Sequence, residues 1–150
     1  MKNRYPVQVV ALLAAVAFLV VAILGFVPGI TTRFSELGFA GHQSEALLLG
    51  LFQISVLHNL VHGLFGIVGL VAARTVTGAR GFLLGAGAIY LVLTVFGLLI
   101  DFDSPLNFVP LNVADNWLHL GLGIGMLAAG LALAKTTPRP AAAATSSRAS

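Results

Sequence analysis

Ser55-Val-Leu-His-Asn-Leu-Val-His62 opens one long apolar run of the chain, and Asn112-Val-Ala-Asp-Asn-Trp-Leu-His119 opens another. Both segments carry an Asn and a His three residues apart, so that the two side chains share one face of a helix. Such polar groups are costly inside a membrane unless they are paired. Their presence in both halves of the chain indicates a duplicated unit with a shared inner site.

The composition is that of an integral membrane protein. Of the 150 residues, 58% are hydrophobic and 9% are charged, and the mean hydropathy is +0.99, far outside the range of soluble domains. The eight Lys and Arg residues are scattered, with no basic run that would follow a nucleic acid backbone, so the expected partner is the lipid bilayer. The chain has no cysteine, which excludes disulfides, thiolate catalysis and cysteine-based metal sites.

The apolar runs predict four membrane spans, because about 20 apolar residues cross the hydrocarbon core. The predicted spans cover about residues 7–27, 55–73, 81–100 and 113–134. The first run also fits the outline of a signal peptide, but it is too long and no Ala-x-Ala site follows it, so we expect a retained helix. Residues 1–134 then form one transmembrane domain. Residues 135–150, rich in Ala, Pro, Ser and Thr, are expected to form a disordered cytoplasmic tail.

The charges between the spans predict the orientation. Arg33 shares one side with all five acidic residues, while the other Lys and Arg residues fall on the opposite side. By the positive-inside rule both termini are cytoplasmic. The expected location is the plasma membrane, which the chain crosses several times.

The two halves align as repeats. Residues 50–72 align without gaps with residues 107–129, and the matches include Asn59 with Asn116, His62 with His119, and Gly66 with Gly123. A weaker match pairs Phe18-Leu19-Val20 with Tyr90-Leu91-Val92 and Gly25 with Gly97. We therefore predict an all-α membrane protein, a four-transmembrane-helix bundle built from two parallel two-helix repeats with short external loops. The alternative is convergence of two low-complexity apolar sequences.

Three polar residues stand where helices are expected to start. Ser55 and Asn112 fit the N-cap position, and Asp115 completes a capping box with Asn112. We expect these three side chains to act mainly as helix caps. The glycines within the spans are expected to allow close helix approach.

The remaining polar side chains form the candidate site. The residues are His58, Asn59, His62, Asn116 and His119. They are expected to face the bundle interior between the second and fourth helices, where the Asn and His pairs meet across a pseudo-two-fold axis. The site is expected to open toward the outside.

Several functions fit such a cluster. The leading interpretation is a non-enzymatic protein that needs no cofactor, in which the cluster forms interhelical hydrogen bonds or binds a small ligand, a lipid headgroup or a quinone between Tyr90 and Trp117. His62 and His119 could instead ligate haem or a divalent metal. A third alternative is a small transporter subunit in which the histidines carry protons. Catalysis has weak support, because Ser55 with a nearby His lacks an elbow motif. The Gly-rich surface is compatible with a homodimer.

These motifs also resemble a known family. The segment His58-Asn-Leu-Val-His62 with Gly66-Ile-Val-Gly-Leu70, and the stretch from Asn107 to Gly125, are similar to the bacterial membrane family called domain of unknown function 4383. The resemblance covers about Val7 to Leu133. It implies a four-helix membrane protein, and it implies no activity.

Overall fold

The computed structural model describes residues 4–133, and these are mostly helical. The four α-helices are α1 (Pro6–Leu24), α2 (Val56–Ala72), α3 (Val76–Leu99) and α4 (Val113–Ala132). By length and composition α1 and α3 are able to cross a membrane, while α2 is apolar but shorter, with 17 residues. The predicted tail and residue 134 of the fourth predicted span lie outside the described residues.

Three of the helices begin at a side-chain cap. The Ser55 hydroxyl accepts a hydrogen bond from the His58 amide at 3.1 Å, and the Asn112 side chain accepts one from the Asp115 amide at 3.0 Å. Thr75 caps α3 in the same way. Each cap residue has extended backbone dihedrals, so its side-chain oxygen reaches the free amides of the first turn.

Two helix ends differ from the ends of the predicted spans. The third span was predicted to start at about residue 81, and α3 begins one turn before Arg80, at Val76. A long Arg side chain tolerates a position inside a helix end, since its charged group can extend away from the apolar region. α1 ends at Leu24, before the end of the predicted span, because the amides of Phe26 and Val27 donate to carbonyls only three residues before them and so form a turn.

The connection between α1 and α2 contains a small sheet, which corrects the prediction of an all-α protein with short external loops. Its strands are β1 (Thr31–Thr32), β2 (Leu47–Leu48) and β3 (Phe52–Gln53), antiparallel in the order β1-β2-β3, and a 3-10 helix spans Phe34–Glu36. Strands of two residues are too short to produce the alternating pattern by which a strand is recognised. We call the end of the molecule that carries this sheet the sheet end.

The helices pack as two antiparallel hairpins. α1 packs mainly against α2, and α3 mainly against α4. In the first hairpin the contacts, from the sheet end, are Gly25 with Asn59, Gly66 with Leu19, and Gln8 Nε2 with the Ala73 carbonyl at 3.0 Å. In the second hairpin they are Gly97 with Asn116, Gly123 with Leu91, and Arg80 Nε with the Gly130 carbonyl at 3.3 Å. Glycine at these positions lets the helices approach closely, since an added Cβ would overlap the facing side chain.

Polar side chains of the helices are buried together with a small apolar core, while many large apolar side chains lie on the outside. Leu13, Leu64, Val92 and Leu98 are each about 60% exposed or more. The buried polar residues on the helices are Gln8, His58, Asn59, Thr94, Asp115, Asn116 and His119. The candidate site is therefore part of the interior.

Candidate functional site

Two histidines on successive turns of α2 form one side of the site. The rings of His58 and His62 stack with their centroids 4.6 Å apart. His62 Nδ1 lies 3.0 Å from the His58 carbonyl oxygen. Because a carbonyl can only accept, this nitrogen carries the proton and donates, and the Nε2 of the neutral ring is left as an acceptor.

Tyr90 of α3 lies at the centre of the site. Its hydroxyl is 3.4 Å from His62 Nε2 and donates to it, as the tautomer of His62 requires. Its ring lies 4.7 Å from the ring of His119 of α4, with the planes at 57°, and it stacks on Phe18 of α1. One side chain thus contacts residues of the other three helices.

From the sequence, Tyr90 was expected only as an aromatic wall, and Phe18 was assigned no role. The signal that could have identified both was present, because the weaker repeat match pairs the two residues. Two residues that a pseudo-two-fold axis relates are expected to contact each other when they lie close to that axis.

The two asparagines do not lie in the same interface. Asn59 packs against Gly25 within the first hairpin, and Asn116 packs against Gly97 within the second. The expectation that both would join the histidines between α2 and α4 was wrong, because the closest packing is within each hairpin. Among the described residues, the Oδ1 atoms of both and the Nδ2 of Asn59 have no hydrogen-bond partner.

A cavity of about 200 Å³ adjoins the histidines. Its polar lining consists of His58, His62, Tyr90 and His119. The rest of its lining is apolar: Val61, Phe65, Ile89, Leu93, Phe96, Phe108, Val109 and Leu111. It therefore combines a small polar end with apolar walls, the usual character of a small-molecule site.

Two of the lining histidines carry polar atoms that nothing in the described chain satisfies. His58 is 5% exposed and His119 is 3% exposed, and the Nδ1 atom of each has no hydrogen-bond partner within residues 4–133. Leaving such a group unpaired costs about 1–3 kcal/mol. A polar group placed in the cavity could satisfy them.

The capping residues stand beside the cavity rather than in its lining. The Asp115 carboxylate accepts hydrogen bonds from the amides of Asn112 and Gln53, both at 3.0 Å, and so ties α4 to β3. This contact joins the start of α4 in one hairpin to the strand that precedes α2 of the other.

The predicted metal ligands His62 and His119 are brought into one cluster, with Tyr90 in contact with both. Both ring nitrogens of His62 already have a partner. No group of three or more His, Asp or Glu side chains within the described residues could hold a metal ion. The cavity is also smaller than the ~300–1,000 Å³ of pockets that enclose drug-sized ligands, and haem is at least that large.

A comparison with protein families gives one match. The family model described as domain of unknown function (DUF4383) matches residues 8–132, which confirms the resemblance inferred from the Asn-x-x-His segments. No curated protein and no solved structure matches the chain.

Proposed function

This chain belongs to the DUF4383 family, whose description names no activity, and we propose that it is a four-span membrane protein whose histidine cluster holds a small ligand. The unpaired Nδ1 atoms of His58 and His119 at the cavity are the observation that carries the proposal. A neutral imidazole has one donor and one acceptor, so the pair suits a hydroxyl or carbonyl group.

Two features support four spans. α1 and α3 are long and apolar enough to cross, and the outward-facing side chains of α2 and α4, among them Leu64, Ile67, Ile124 and Leu131, are more than half exposed and apolar. At about 1.5 Å per residue, α4 with its 20 residues reaches about 30 Å and α2 about 26 Å. Both lengths approach the ~30 Å of a hydrocarbon core.

Recurrent contacts support the two repeats. The sequence alignment pairs Gly25 with Gly97 and Asn59 with Asn116, and each Gly lies against its Asn in the same manner. Extending the alignment pairs Gln8 with Arg80 and Ala73 with Gly130, the residues of the hydrogen bond at the other end of each hairpin. Convergence of apolar sequences does not account for polar side chains that make matching contacts at both ends of the hairpins.

The orientation is a proposal that single cysteines can test, since the native chain has none. With the termini in the cytoplasm and the protein in the plasma membrane, Glu36→Cys and Asp103→Cys should react with an impermeant maleimide in intact cells. Thr75→Cys should react only after lysis. All three positions are exposed. The opposite labelling pattern would reverse the topology.

Ligand binding is tested on detergent-purified protein by native mass spectrometry. We expect a bound small molecule in the wild type that is lost in His119→Leu and retained in the matched control His42→Ala, whose ring is outside the cavity lining. A wild type that carries no small molecule, together with a His119→Leu variant that is more stable, would show that the cluster serves packing alone.

The same sample distinguishes the other candidates. Metal analysis and a visible spectrum that show a stoichiometric metal or haem, lost in His62→Ala, would replace the proposal by a His-liganded cofactor protein. Proton-dependent flux in liposomes, lost in the same variant, would favour the small transporter subunit.

A further inference from the structure

A second apolar cavity adjoins the cavity of the histidines. It has a volume of about 290 Å³ and lies between α2 and α3. Its lining residues are Leu64, Phe65, Val68, Gly81, Phe82, Gly85, Ala86 and Ile89. Phe65 and Ile89 also line the histidine cavity, so the two spaces meet at these side chains. We call the second cavity the α2–α3 groove.

We propose that the ligand is a neutral amphiphile with a single apolar chain. Its hydroxyl or carbonyl head pairs with His58 and His119, and its chain lies in the α2–α3 groove. This inference rests on the proposed function and adds the class of the ligand to it.

The shape of the groove fits a chain rather than a compact group. From Ile89 to Gly81 it follows α3 for about 12 Å. Gly81 and Gly85 lie along it, and a Cβ added at either position would meet nothing within 4 Å. The lining is apolar throughout, so it offers contacts to methylene or isoprenoid units and to no polar group.

The charge of the lining favours a neutral head. No Lys, Arg, Asp or Glu is among the residues described as lining either cavity. A carboxylate or phosphate there would lose its hydration without gaining an ion pair. A hydroxyl or carbonyl group needs only hydrogen bonds, which the two histidines can supply.

The exposed rim indicates that the ligand enters from the lipid. Of the residues that line the histidine cavity, Ile89 and Phe108 are the most exposed, at 46% and 60%. Both are apolar. In the groove Leu64 and Val68 are also exposed, at 59% and 50%. An amphiphile in this position would have its head near the histidines and its chain along α3, directed away from the sheet end.

Two glycine substitutions make a matched pair for the test. Gly85→Leu fills the groove, whereas Gly125→Leu places the same side chain on α4 outside both cavities. An added Cβ meets nothing within 4 Å at either position, so both variants are expected to fold. Thermal unfolding of each variant checks this directly.

The probe is a long-chain fatty alcohol with a diazirine in its chain, applied to the protein in phospholipid nanodiscs. After irradiation we expect labelled peptides from residues 64–68 and 81–89 in the wild type and in Gly125→Leu. In Gly85→Leu the labelling should fall about tenfold, because the added side chain displaces several methylene contacts. Equal labelling of the two variants would overturn the chain inference.

Further measurements test the head and the chain of the ligand separately and distinguish an acyl from an isoprenoid chain. His119→Leu should abolish labelling at these peptides; if it does and Gly85→Leu does not, the chain inference fails and the proposed function stands. Unchanged labelling in His119→Leu would overturn both. Competition by a fatty acid as strong as that by the alcohol would refute the neutral head. A prenyl alcohol that competes better than the fatty alcohol would identify an isoprenoid chain, and the reverse order an acyl chain.

Discussion

Phe18 and Tyr90 form a parallel, offset stack, with ring centroids 5.8 Å apart and planes 4° apart. Each ring also contacts the histidine of its own hairpin, Phe18 with His62 at 5.7 Å and Tyr90 with His119 at 4.7 Å. The two hairpins therefore meet through these two aromatic side chains. Only Tyr90 brings a hydroxyl to the stack, so the polar site is formed on one side of it.

Replacing Tyr90 by Phe should separate the hydrogen bond to His62 from the packing of the ring. Tyr90→Phe keeps the stacked ring and removes only the donor to His62, so unfolding in mixed micelles should cost about 0.6 kcal/mol less, the average for one hydrogen bond between membrane helices. The control Phe18→Leu loses the stack itself and should lower the free energy of unfolding by more, because a stacked aromatic pair contributes about 0.5–1.5 kcal/mol beyond its buried area. A larger loss in Tyr90→Phe than in Phe18→Leu would contradict this assignment.

The glycines that face the two asparagines should be equally intolerant of a methyl group. Gly25→Ala and Gly97→Ala each force a Cβ onto an Asn side chain, and we expect each to destabilise the protein by about 1–3 kcal/mol, as overpacking does. The control is Gly125→Ala, where the space is open and better helix propensity should give a gain of up to about 1 kcal/mol.

A second substitution tests the cause of that loss. Adding Asn59→Ala to Gly25→Ala shortens the facing side chain and should recover part of the stability, measured as a coupling energy in a double-mutant cycle. Strictly additive losses would mean that the two residues do not meet.

The starts of α2 and α4 were predictable from their local caps. Ser55 and Asn112 combine a capping side chain with an apolar run, and α2 and α4 begin directly after them. α3 begins five residues before the predicted third span, at the cap Thr75, because a charged residue such as Arg80 is tolerated one turn inside a helix end.

Helix pairing was less predictable than helix faces. Periodicity placed Asn59 and Asn116 on inward faces, and both are buried. It could not tell which helix each face meets, because that depends on complementary shape in distant segments. The space for the two asparagines is provided by Gly25 and Gly97. The repeat match pairs these two glycines but does not show that the asparagines pack against them.

Two equivalent hydrogen bonds should differ in strength because their burial differs. Gln8 is buried and donates to the Ala73 carbonyl, so Gln8→Met should lower the free energy of unfolding by about 1 kcal/mol. Arg80 is exposed and its bond to the Gly130 carbonyl is longer, so Arg80→Met should cost less than about 0.5 kcal/mol. Equal losses would show that burial does not set the strength of these bonds.

Asp115 should control whether the sheet stays attached to α4. Its carboxylate is buried and accepts the amides of Gln53 and Asn112. Asp115→Ala leaves both amides unpaired and should cost about 1–3 kcal/mol. It should also speed hydrogen exchange at the Gln53 amide, whereas Asp115→Asn keeps one acceptor oxygen and should have a smaller effect on both measurements. The exposed pair Arg33–Glu45 provides the control, because Glu45→Gln should change stability by less than about 1 kcal/mol although its ions are only 2.9 Å apart. A Gln53 amide that remains fully protected in Asp115→Ala would mean that the sheet is held by its other contacts.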